Sequence, residues 1–267
     1  MLFRSQLGYI DDATNTVYGR FYDYEGTWPA LDSLKRYIRQ YGIPQSVYLD
    51  KHTTYKSGAA PTIDEQLSDQ KPMSQVERSL AELGIDVIHA NSPQAKGRVE
   101  RLFKTLQDRL VREMRLLGIR SVAEANAFLE RYLPQHNRRF SQVAASAADL
   151  HRAVPASREL DRVLCIKGER TVKNDFTIVH HGALYQLDQP TRARKVSVAE
   201  RLDGTLHITS KGRELRYRAI PVRLPKDAPE PPRALHAKNP WTPPTDHPWR
   251  RRLLQQRRTK DQSVAAP

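Results

Sequence analysis

Cysteine is nearly absent from this chain: Cys165 is the only one. A single thiol excludes an intramolecular disulfide framework and a cysteine-based zinc cluster. Cys165 is expected to serve as a small buried hydrophobe. Long apolar runs are also missing, which argues against a membrane-spanning helix. The N-terminal Met1-Leu2-Phe3-Arg4-Ser5-Gln6 carries no signal-peptide pattern. A cytosolic setting is the expectation. Acidic residues are in deficit, with 30 Asp and Glu against 44 Lys and Arg and a formal net charge of +14. That imbalance favours a polyanionic partner, most simply nucleic acid. A basic protein docked on an acidic partner would show the same balance. No internal repeat is visible. The 267 residues, 39% of them hydrophobic, suffice for two modest domains with a polar remainder.

What is present begins with a hairpin. Leu2 to Ile10 reads as a strand, Asp11-Asp12-Ala13-Thr14-Asn15 as a turn, and Val17 to Tyr24 as a second, alternating strand. Thr27 is placed to cap a helix through Tyr41, with Trp28, Leu31, Leu34, Tyr37 and Ile38 as its apolar stripe and Gly42 as its end. Ser46-Val47-Tyr48-Leu49 is a short strand that delivers Asp50 at its C-terminal end. Ser57 to Pro72 is polar and irregular and reads as an exposed insertion. Ser74 with Glu77, and Ser121 with Glu124, have the spacing of capping boxes that open helices. The first of these helices ends near Gly84, and Ile85 to His89 follows as a short buried strand. The second ends around Asn137. One more short helix is expected over Ala144 to Val154. The alternation of strands and helices specifies an α/β layer with a mixed sheet.

From Asp161 to Val222 the pattern changes to short strand-like runs. They are punctuated by Asn174-Asp175, His181-Gly182, Asp203-Gly204 and Lys211-Gly212, which suggests a small β-barrel. Nine of the eighteen prolines then lie between Pro221 and Pro248, followed by Arg250-Arg251-Arg252 and Arg257-Arg258. This basic, Pro-rich tail lacks core-forming periodicity and is expected to be disordered in isolation. Trp241 and Trp249 beside prolines favour a docking role over a plain spacer. The expected domains are 1–155, 160–222 and 223–267.

One stretch organises the first of these. Ser92 and Pro93 suit the cap and first position of a helix. Val99, Leu102, Phe103, Leu106, Leu110, Met114 and Leu117 recur at helical spacing along it. Glu100 borders that face among Lys96, Arg98, Arg101 and Lys104. Two readings stay open for Glu100. It is either a metal ligand beside a phosphate backbone, or a surface glutamate that complements the helix dipole and pairs with Lys104. Asp50, at a strand end, is the other acid singled out by position. The C-terminal ends of strands are where open α/β sheets usually bind ligands. Carboxylates are natural ligands for Mg²⁺ in phosphoryl transfer. Lys104 and Gln107, further along the helix, are candidates to touch DNA. Arg138 and Arg139 could contact phosphate or simply cover surface.

Ile10-Asp11-Asp12-Ala13-Thr14-Asn15, Leu49-Asp50-Lys51-His52 and above all Ser92-Pro93-Gln94-Ala95-Lys96-Gly97-Arg98-Val99-Glu100-Arg101 resemble the integrase core of bacterial insertion-sequence transposases of the Asp-Asp-Glu type. The likeness covers about residues 2–155, and the barrel and the Asp246–Arg251 run are similar to this group as well. It implies a ribonuclease-H-like mixed sheet with flanking helices. It implies two Mg²⁺ (or Mn²⁺) ions held by three carboxylates, which promote attack of water and then of a DNA 3′-hydroxyl on a phosphodiester. Asp50 matches the second acid and Glu100 the third. His52 is then a neighbour of the site able to position water. DNA, a homo-oligomeric assembly and a bacterial, nucleoid-associated location follow from the same resemblance. In the family the first acid sits on a strand ahead of the hairpin turn, and nothing from Met1 to Ile10 is acidic. Asp11 and Asp12 match turn residues. The expectation is a chain whose start, first strand included, is lost and which is inactive alone. The alternatives are a non-catalytic DNA-binding remnant that competes with an intact transposase, and a metal-dependent nuclease of the same fold.

Overall fold

The computed structural model describes residues 5–49, 54–55, 72–89, 93–221, 244 and 246–248, without the side chains of 93–96, 98–100 and 107. Residues up to Ile220 form one compact unit and the remainder a second. The expected tail thus lies almost wholly outside the described residues.

Strand β1 (Ser5–Ile10) pairs antiparallel with β2 (Val17–Tyr22), in register from Ser5↔Tyr22 to Ile10↔Val17. The turn is held by Asp11, whose carboxylate accepts the Thr14 backbone N–H at 2.9 Å. Helix α1 (Thr27–Tyr41) follows. Gly26 caps it without a side-chain bond, so Thr27 is its first helical residue and not the expected cap. Strand β3 (Ser46–Leu49), helix α2 (Gln75–Glu82) and strand β4 (Asp86–His89) come next. Then come α3 (Pro93–Leu116), α4 (Val122–Phe140) and α5 (Ser157–Val163). Both capping boxes are present: Ser74 accepts from Glu77 N–H at 3.1 Å and Ser121 from Glu124 N–H at 3.2 Å, and each glutamate returns a bond to its cap.

Two cores organise this part. Leu31, Leu34 and Ile38 of α1 are buried with Val76 and Leu80 of α2 and with Leu160 and Leu164. Leu7 and Tyr9 of β1, Val47 and Leu49 of β3 and Val87 of β4 pack on that cluster. The second core joins Leu102, Leu106, Leu110 and Met114 of α3 to Ala125, Phe128, Leu129 and Leu133 of α4, and to Val17 and Phe21 of β2. Gly8 permits close approach here. A β-carbon there would lie 3.3 Å from the Phe103 ring. Leu117, expected on the apolar face of α3, is 62% exposed because the helix stops before it.

Four further expectations are corrected. Among the described residues, β1 to β4 form two two-stranded sheets, antiparallel β1–β2 and parallel β3–β4, instead of one mixed sheet. The Asp86–His89 strand is half exposed, with Ile88 39% accessible. No helix forms over Ala144 to Val154. Tertiary bonds claim that backbone: Ile43 and Arg152 exchange N–H···O bonds at 2.9 and 2.8 Å, and the Arg152 guanidinium donates to the Leu83 and Gly84 carbonyls that end α2.

The fourth concerns the barrel. Strands β5 (Cys165–Thr171), β6 (Thr177–His180), β7 (Ala183–Leu187), β8 (Lys195–Arg201), β9 (Leu206–Ser210), β10 (Arg213–Leu215) and β11 (Tyr217–Ile220) form two sheets and no closed barrel. One sheet runs β10-β9-β8-β5 and the other β11-β7-β6, all antiparallel. Closure needs strands long enough to tilt and stagger into a continuous ladder. Here β10 has three residues, and the chain passes to the other sheet at Arg216. Ile178, Leu187, Val196, Val198, Ile208 and Leu215 fill the space between the sheets. The alternation in β8 is legible in sequence: Val196 and Val198 point in, Lys195 and Ser197 out.

Candidate functional site

The candidate site begins with β3 and β4. They run parallel with Ser46 opposite Asp86 and Leu49 opposite His89. The chain therefore leaves both strands at the same edge of the pair. Asp50 is the next residue after Leu49. Pro93, four positions after His89, opens α3. Asp50 and His52 lie outside the described residues. Glu100, Lys96, Arg98 and Gln107 lie on α3, with side chains outside the description. The parallel register thus ends β3 and β4 on the same side of the pair, one residue before Asp50 and four before Pro93.

Arg101 and Lys104 are described and exposed on α3. Arg101 Nε donates to the Gly97 carbonyl at 3.0 Å, which lays the guanidinium back along the first turns. Exposed Arg109, Arg112 and Arg115 continue the basic character, against exposed Asp108 and Glu113. Burial of Leu102, Leu106, Leu110 and Met114 against α4 fixes which side of α3 faces water. Arg138 and Arg139, in the last turn of α4, are exposed too. They suit the negative end of a helix dipole as well as a phosphate.

Sequence reading missed His89, at the same strand edge. Its Nε2 lies 3.2 Å from Glu77 Oε1, while Glu77 Oε2 accepts the Ser74 N–H at 2.8 Å. The capping box thus also orients a histidine whose Nδ1 is buried without a partner. It missed as well a cleft of about 400 Å³ between β2, α1 and α4. Arg20, Arg36 and Arg39 line it beside Tyr18, Tyr41 and Glu130. Asp32, buried at the base of α1, holds two of these cations: its carboxylate accepts from Arg36 Nε at 2.9 Å and lies 4.0 Å from Arg20. The Tyr22 hydroxyl donates to the same carboxylate at 2.8 Å. Burial and that negative neighbour raise the Tyr22 pKa.

One constellation imitates a catalytic relay. Tyr37 Oη lies 3.0 Å from His151 Nε2, and His151 Nδ1 lies 2.7 Å from Asp149 Oδ1. Tyr37 stacks on Tyr9 and leans on Tyr41, with ring centroids 5.0 Å apart in each pair. Burial, followed by the charges of Asp11, Tyr41 and Asp149, pushes its pKa up to about 12. A hydroxyl so far from ionisation is a hydrogen-bond donor and a poor nucleophile. The triad pins α1 to the irregular segment after α4.

No protein-family model matches the chain. An inferred transposase of Sinorhizobium fredii, y4bF, is 36% identical over 223 residues, covering 81% of this chain and 48% of that protein. The transposase for insertion sequence IS1202 of Streptococcus pneumoniae is 26% identical over 250 residues, covering 90% of this chain and 53% of that protein. The chain spans about half the length of these curated relatives. A chain from the cryo-EM structure of the simian T-cell lymphotropic virus intasome with PP2A regulatory subunit B56 gamma is matched over 82% of this chain and 73% of that one. Its TM-score of 0.35 and 14% identity make that likeness too loose to specify a fold. By sequence, the chain is similar to about half of each of these two proteins, both named as transposases.

Proposed function

We propose that this chain is the integrase-like part of a DNA transposition protein, with a core of ribonuclease-H descent. In this reading it takes part in phosphodiester strand transfer. Asp50 and Glu100 are two of the carboxylates that hold a divalent cation. Lys96, Arg98, Arg101, Lys104 and Gln107 receive the DNA backbone. The observation that carries the reading is the parallel Leu49↔His89 register, in which β3 and β4 end on the same side of the pair. The transposase names of both curated relatives support it. Hard oxygen donors suit Mg²⁺ or Mn²⁺. Such an ion, when bound, supplies charge stabilisation to the transferring phosphate. The protein's own share is to present the acids from a strand end and a helix start, and to neutralise the flanking phosphates along α3.

The test is nicking and joining of DNA carrying the element's ends, with Mg²⁺ or Mn²⁺, by the chain and by its Asp50→Asn and Glu100→Gln variants. Joining that both variants abolish establishes strand transfer and the two roles. Joining that survives Glu100→Gln removes Glu100 from the site. A second reading, a DNA-binding polypeptide without catalysis, rests on the exposed basic side of α3. It predicts no joining, with DNA affinity that persists in EDTA and in both variants.

A further inference from the structure

We propose that His180, His181 and Glu200 form a site for a zinc-class divalent ion that clips the two sheets of the β unit together. His180 ends β6 in the three-stranded sheet, and His181 begins the turn to β7. Glu200 lies on β8 of the four-stranded sheet, opposite Ile166. The three side chains therefore come from sheets that share no ladder.

Adjacent residues of a strand normally point to opposite faces. Here the turn changes that. His181 has φ 47° and Gly182 φ 78°, and the two imidazole centroids come within 4.2 Å. His180 Nε2 lies 3.3 Å from Glu200 Oε2 and His181 Nε2 lies 3.0 Å from the same oxygen. The three ligand atoms all lie within 4.8 Å of one another. Tetrahedral coordination with bonds near 2.0–2.1 Å requires ligand-to-ligand edges of about 3.3–3.4 Å. Two edges thus stand within a few tenths of an ångström of that figure. Two imidazoles and one carboxylate leave a fourth position for water, and this donor set selects zinc over magnesium.

His180 is 6% exposed, and its Nδ1 is buried without a hydrogen-bond partner. Burial lowers its pKa, with the neighbouring His181 and Arg170 acting in the same direction against Glu200. Arg170 adds a nearby positive charge that weakens binding of any cation. The negative Glu200 carboxylate partly offsets this field. A metal staple also suits a small β unit with a core of few side chains.

The experiment titrates the whole chain with Co²⁺, read by its visible d–d absorption, and then displaces the cobalt with Zn²⁺. The expected result is an intense tetrahedral band with one-to-one stoichiometry and a rise in thermal midpoint on adding Zn²⁺. His181 is 69% exposed at its side chain, so His181→Ala leaves the fold intact. It should abolish the band and the midpoint rise, with apparent affinity falling on the order of 10-fold or more. Glu200→Gln should do the same. His207→Ala, at a separate histidine–glutamate pair with Glu214 at 2.6 Å, should leave the band unchanged. No tetrahedral band in the parent chain overturns the proposal. So does a band that survives His181→Ala or that vanishes in His207→Ala.

Discussion

His136 shows how much a single residue reports. It is 6% exposed on α4, its Nδ1 has no partner, and its ring lies 4.7 Å from Phe140 and 6.0 Å from Tyr132. Arg109 of α3 sits over the Phe140 ring at 5.3 Å and closes this aromatic ladder. Burial lowers the His136 pKa, and the Arg109 charge lowers it further. Folding thus disfavours the protonated ring. The unfolded chain takes up a proton near the ordinary pKa of about 6.5, and the folded chain does so only at lower pH. Stability from this residue is complete above about 6.5, and it is lost as pH falls from there to the folded value. His136→Gln should flatten that acid-side decline when urea midpoints are compared between pH 7.5 and 5. An unchanged slope would assign the decline to other groups. The sequence marks His136 only as a position on a helix. Its burial depends on α3, and no local pattern announces that.

At the scale of elements, one chemical device recurs. Asn126 accepts from the Phe21 N–H at 2.9 Å and donates to the Phe21 carbonyl at 3.0 Å. Asn137 does the same to Val17, at 2.9 Å for both bonds. Gln75 of α2 bonds Lys167 of β5 in the same way, at 2.8 and 2.9 Å. A primary amide offers a donor and an acceptor side by side, as a peptide group does. Asn126→Ala should cost about 1–3 kcal/mol for each backbone group left unpaired in the buried site. Urea unfolding measures it, and a loss below about 0.5 kcal/mol would show that water replaces the amide. Ser74→Ala should cost about 1 kcal/mol through loss of the α2 cap. It should also free Glu77 to change its contact with His89, visible as a shift of the His89 imidazole resonances. Leu106→Ala, at a fully enclosed position between α3 and α4, should cost about 2–5 kcal/mol. The capping boxes and the α3 stripe are legible because their partners lie three or four residues apart. The amide bonds are not, since they join residues 105 and 120 positions apart. The missing helix after α4 has the same cause, a backbone claimed by distant Ile43.

For the whole molecule, charge and topology were the readable quantities. An excess of 14 positive charges and the exposed basic side of α3 predict strongly salt-dependent binding to duplex DNA. The logarithm of affinity should fall with the logarithm of salt at about 0.9 per phosphate contact. Arg101→Ala and Lys104→Ala should each lower that slope by about 1. A flat salt response would exclude phosphate contacts as the basis of binding. The order of strands and helices gave the α/β class, yet not the division into separate sheets, which depends on which edges meet. Asp50 and Glu100 stand out in the sequence by position, and their roles belong to the proposed function. The basic cleft at Arg20, Arg36 and Arg39 was not legible there, because three distant elements contribute to it. The amide bonds along β2 have one more consequence. A strand margin whose Val17 and Phe21 groups are occupied by side chains offers another molecule little backbone to pair with. Asn126 and Asn137 therefore block this margin of β2, at Phe21 and Val17, to a further strand.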